Sequence, residues 1–61
     1  MATSNDCSNA WREGYIAGYK SIKGAIPGVP ARPGGIPAGI RDPVDYFYRL
    51  GYERGQQAAG S

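Results

Sequence analysis

Ala10-Trp11-Arg12-Glu13-Gly14-Tyr15-Ile16-Ala17-Gly18 is answered 37 residues later by Phe47-Tyr48-Arg49-Leu50-Gly51-Tyr52-Glu53-Arg54-Gly55. Arg12, Gly14, Tyr15 and Gly18 recur as Arg49, Gly51, Tyr52 and Gly55, and Trp11 is replaced by another aromatic, Tyr48. At 100° per residue the first copy places a ridge of small residues (Ala10, Gly14, Gly18) beside an aromatic ridge (Trp11, Tyr15, Tyr19), with Asn9, Arg12, Glu13, Lys20 and Lys23 opposite. Glycine inside a helix costs about 0.8–1 kcal/mol relative to alanine, so two at this spacing need a compensating gain. Close approach of another backbone supplies one. The unit therefore reads as a helix-packing surface made twice.

Outward from the first copy, residues 1–6 form a frayed terminus ending at Asp6, a plausible N-cap for which Ser4 would serve almost as well, and a first helix is expected over 7–23. Gly24 can close it in the left-handed conformation. The second copy lies in a segment, 42–60, with a clear start: Asp42 as N-cap, Pro43 at the first helical position, and Asp45 near the positive helix end. A helix is expected over 43–59, with Phe47, Gly51, Gly55 and Ala59 as its ridge of contact and Tyr48 and Tyr52 beside it. Asp45 and Arg49 are placed for an i,i+4 ion pair.

Between the two lies Gly24–Arg41, which holds four of the chain's five prolines. Proline removes backbone donors and breaks helices, so this segment is expected to be an extended Pro/Gly-rich arm reaching about 56 Å at ~3.1 Å per residue. Its apolar content is high for a solvated linker: Ile26, Val29, Ile36 and Ile40, interleaved with Pro27, Pro30, Pro33 and Pro37 and only two charges, Arg32 and Arg41. An arm of that composition is expected to lie on a surface. Pro27-Gly28-Val29-Pro30-Ala31-Arg32 also fits the Pro-x-x-Pro-x-Arg pattern accepted by modules that read polyproline segments. The plainer reading is a stiff arm with one solvated arginine. The fold expected is thus small and all-α, a helical hairpin of two antiparallel helices joined by the arm within one domain.

Sixty-one residues allow one thin core, hiding about 60% of the unfolded surface. The expectation is that the pair is completed by a protein partner or a second copy. Seven basic and five acidic residues leave a net charge of +2, too small to make phosphate binding the default. Cys7 is the only cysteine and histidine is absent, which leaves no disulfide, no zinc set and no cysteine–histidine pair. The carboxylates Asp6, Glu13, Asp42, Asp45 and Glu53 fall at helix starts or on polar faces. No enzyme activity, no cofactor, no metal and no small-molecule substrate is expected. The chain lacks a charged head followed by an apolar run, and any long apolar window, so neither signal-peptide secretion nor a membrane span is expected. A place in the cytoplasm, or in a virion assembled there, follows.

The Gly14-Tyr15-Ile16-Ala17-Gly18 run and the later Tyr48-Arg49-Leu50-Gly51-Tyr52 resemble the two helix motifs of the ribosome modulation factor family, over roughly twenty residues. That resemblance implies two helices and a ribosome- or RNA-associated regulator, in which Arg12, Lys20, Lys23, Arg49 and Arg54 would meet phosphate. The chain differs from that family in its near-balanced charge and its Pro/Gly arm. The preferred expectation is a non-catalytic structural protein, such as a minor capsid or cementing component of a phage particle. It would dock through the arm (Ile26, Pro27, Val29, Pro30, Arg32, Pro33, Ile36, Pro37, Ile40), and its aromatic-glycine helices (Ala10, Trp11, Gly14, Tyr15, Gly18, Tyr19, Phe47, Tyr48, Gly51, Tyr52, Gly55) would clamp a neighbour or each other.

Overall fold

A computed structural model describes residues 4–24, 28–35 and 38–60. Two helices carry the fold: α1, Ser4–Lys20, and α2, Pro43–Gly60. No strand occurs among the described residues. The second helix begins where its capping signal placed it. The Asp45 amide donates to Asp42 Oδ1 at 3.2 Å and the Tyr46 amide to the Asp42 carbonyl at 3.0 Å. One turn on, Arg49 Nε meets Asp45 Oδ2 at 3.0 Å.

The first helix is shifted toward the N-terminus from the expected 7–23. It starts at Ser4, so Asp6 stands inside the first turn, where its charge faces the positive helix end, and is not the cap. At the other end Ser21–Lys23 form a turn whose amides still bond back along the chain, Lys23 to the Tyr19 carbonyl at 2.9 Å and Gly24 to that of Lys20 at 3.2 Å. The Ser21 hydroxyl donates to the Gly18 carbonyl at 2.6 Å, and Gly24 then takes a φ of 77° and ends the helix as its sequence suggests. Ile22 is 51% exposed in this turn.

The helices meet through their glycines. A methyl group at Gly14 would strike the backbone of Tyr48, and one at Gly18 the backbone of Tyr52; Gly51 stands in the same way against Trp11, and Gly55 against Tyr15. In all four cases the glycine hydrogen points at a carbonyl oxygen of the facing helix, the arrangement of Cα–H···O contacts, worth about 0.5–1 kcal/mol each. Two features of the pair follow from the numbering. The contacts advance by four on both helices together, so α1 and α2 run in the same direction. And Gly14 meets the counterpart of Trp11 while Trp11 meets the counterpart of Gly14, so the two copies are related by a local two-fold axis lying along the pair.

The hairpin is therefore present as two consecutive helices packed along their lengths, but its helices are parallel, not antiparallel. The arm makes this direction attainable. Antiparallel neighbours need about two to eight connecting residues, whereas a parallel pair requires a return over the full helix, about 26 Å for 17 residues. Residues 29–32 of the arm run back along α1. Val29 packs on the core, the Pro30 carbonyl is beside Trp11, and Arg32 is beside Ser8, so the chain descends α1 against its direction. The core under it is Cys7, Ala10, Trp11, Tyr15 and Phe47, with Val44, Tyr46 and Leu50 at its edge. The whole measures 33 × 18 × 16 Å.

Candidate functional site

The two-fold relation creates two faces, one on each side of the helix pair, and they are built differently. On the first, Trp11 and Phe47 stand together and the arm covers them. Trp11 is 4% exposed, and its indole N–H donates to the Pro30 carbonyl at 3.0 Å. The guanidinium of Arg32 lies 4.6 Å above the centre of the Phe47 ring, while its Nε donates to Ser8 Oγ at 3.2 Å. This is a cation–π contact on a ring that is itself buried, with Tyr46 meeting it edge-on at 5.1 Å. Arg32 is thus not the solvated arginine of the plainer sequence reading. The arm's Pro-Ala-Arg is read inside its own chain, by a tryptophan and a phenylalanine.

On the second face, the counterparts of Trp11, Ser8 and Phe47 are Tyr48, Asp45 and Ala10. There Tyr48 is 39% exposed. Tyr52 continues the ridge half-buried, whereas Tyr15, its mate, is buried. The aromatic ridge of α1 is a continuous stack, Trp11 to Tyr15 at 6.0 Å and Tyr15 to Tyr19 at 6.4 Å between ring centres. Of the expected helix-packing set, Ala10, Trp11, Gly14, Tyr15, Gly18, Phe47, Gly51 and Gly55 are buried, Tyr19 and Tyr52 are half-buried, and Tyr48 opens to solvent.

Of the expected docking arm, Val29, Arg32 and Ile40 are half-buried, and Pro30 and Pro33 are exposed. Ile26, Pro27, Ile36 and Pro37 lie outside the described residues. Between the arm and α1 an open groove of about 640 Å³ is bounded by Ser8, Trp11, Arg12, Ile16, Val29 and Pro30. The cations named for RNA, Arg12, Lys20, Lys23, Arg49 and Arg54, are all exposed. Arg12 and Arg49 are mates across the two-fold axis and so sit on opposite sides of the pair, and Arg49 is engaged with Asp45. Sequence reasoning missed Ser8 and Tyr46. The one signal for Ser8 is that it is the counterpart of Asp45; Tyr46, off the ridge of contact, is drawn in by Phe47.

Among the described residues, no three His, Cys, Asp or Glu side chains converge as a metal set. No described helix is long and apolar enough to cross a membrane. No family model, curated protein or solved structure matches the chain.

Proposed function

We propose that this chain is a non-catalytic docking protein, a small component fixed to a larger assembly such as a phage particle, which it meets through the outer edge of the arm and the open aromatic face of α2. One observation carries the reading: of two aromatics related by the two-fold axis, Trp11 is 4% exposed beneath the chain's own arm, whereas Tyr48 is 39% exposed. Val29 of the arm packs on the core, so the arm's contribution to docking comes from the outward residues Pro30, Ala31 and Pro33, which are exposed. Arg12 and Arg49 stand on opposite sides of the pair and Arg49 is engaged with Asp45, which favours an apolar contact over a phosphate surface.

Size fractionation of extracts from cells that make the protein tests this. The chain is expected in particles far above its own 6.5 kDa, and to stay there as salt rises from about 50 to 200 mM. Release of roughly tenfold or more over that range would favour the ribosome- or RNA-associated alternative, and a free monomer at every salt would end the docking reading. Replacing Tyr48 and Tyr52 by serine is expected to release the chain while leaving its helicity intact.

A further inference from the structure

The covered face shows what the open one is built to hold. On the covered side an extended segment runs antiparallel to its helix, a backbone carbonyl after Val29 takes the hydrogen of an aromatic side chain, and an arginine two residues later reaches the helix position three before that aromatic. Rotation about the two-fold axis carries these positions onto Tyr48 and Asp45. The chemistry at each is conserved in kind and sharpened in charge. Tyr48 offers a phenol hydroxyl where Trp11 offers its indole N–H. Asp45 offers a carboxylate where Ser8 offers a hydroxyl, and this compensates for Ala10, which stands where the Phe47 ring receives Arg32 on the other side. An aromatic ridge beside an acid is also the general arrangement by which proline-rich segments followed by arginine are bound.

We propose that the Tyr48–Tyr52 face of α2 binds an extended Pro-x-Arg segment of a partner protein, in the manner of the chain's own Pro30-Ala31-Arg32, with Tyr48 donating to the segment's backbone and Asp45 receiving its arginine. The occupant is a partner segment because the arm of this chain is already engaged at Trp11, and the charge of Asp45 selects a segment that carries a cation at that position. The present ion pair of Asp45 with Arg49 is exposed on both sides, 53% and 79%, so Asp45 is reachable by a second cation. The inference rests on the docking reading and names its partner chemistry.

The probe is the synthetic peptide Gly-Val-Pro-Ala-Arg-Pro-Gly, the sequence of residues 28–34, titrated into the full chain and followed by amide and side-chain NMR shifts. Saturable shifts are expected at Asp45, Tyr48 and Tyr52, with the Trp11 indole signal unmoved. Asp45→Asn is expected to raise the Kd about fivefold, and Tyr48→Ala about tenfold. The Tyr48 side chain is the exposed part of that residue while its backbone makes the helix contact, so the alanine variant keeps the fold. Shifts centred on Trp11 and Ser8 would mean that the peptide only displaces the arm, and would overturn the proposal, as would no shift or equal affinity for both variants. Concentration-dependent shifts at Tyr48 without peptide would mean that a second copy covers the face, and would overturn it too. A chain that resides in a large assembly yet ignores the peptide would remove this inference and leave the docking reading standing.

Discussion

At the scale of the residue, the four interfacial glycines have opposite energetics to Gly28 in the arm. Gly14→Ala, Gly18→Ala, Gly51→Ala and Gly55→Ala each gain about 0.8–1 kcal/mol of helix propensity but drive a methyl group into a backbone carbonyl that no rotamer change can move. Each is expected to lose about 1–3 kcal/mol net in urea denaturation. Gly28→Ala has nothing within 4 Å of the new methyl group and no positive φ, and is expected to be neutral or to gain up to about 1 kcal/mol. The contrast in sign checks the packing better than any one value. Trp11→Phe keeps a ring in the core but removes the donor to Pro30, at about 1 kcal/mol. Hydrogen exchange at Val29, Ala31 and Arg32 is expected to quicken. Cys7 is 0% exposed, so a thiol reagent is expected to label it only at the rate of unfolding, which makes it a probe of the whole pair.

The element scale separates what was legible from what was not. The start of α2 was legible because capping is local: Asp42, Pro43 and Asp45 act within one turn, and Asp42→Ala is expected to cost about 1 kcal/mol of thermal stability. The contact ridge was legible because glycine at a spacing of four is costly without a neighbour. The direction of the helices was not, since a two-fold repeat is satisfied by either sense; the length of the arm was the available signal, being far more than an antiparallel turn uses. The start of α1 was displaced because Asp6, a good cap, is an equally good first-turn residue in its helix. The role of Arg32 depended on Phe47 and Ser8, 15 residues after it and 24 before, and no local pattern joins them. Parallel helices also align their dipoles. The acids Asp6 and Asp45 in the first turns, and Lys20 in the last turn of α1, reduce the repulsion this creates.

For the whole molecule, the arm is structural before it is anything else. Removing residues 26–40 would leave seven connecting residues (21–25 and 41–42), eight Cα–Cα steps that reach about 26–29 Å at full stretch, which leaves no slack to follow the surface between helix ends about 26 Å apart and would pull out the turn at 21–23. The deletion is expected to abolish the monomeric parallel pair, giving either a larger species or loss of helicity in sedimentation and circular dichroism. A Gly/Ser arm of the original length is expected to retain the pair at reduced stability, because it spans the distance but supplies neither Val29 nor Arg32. The shared direction of the helices also decides how the molecule bears load. The start of α1 and the end of α2 lie at opposite ends of a body 33 Å long. Tension between them pulls the helices past each other in shear, so the four glycine contacts resist together, whereas an antiparallel hairpin pulled at its adjacent ends opens one contact at a time. A small protein tethered at both ends would in this way act as a short mechanical link.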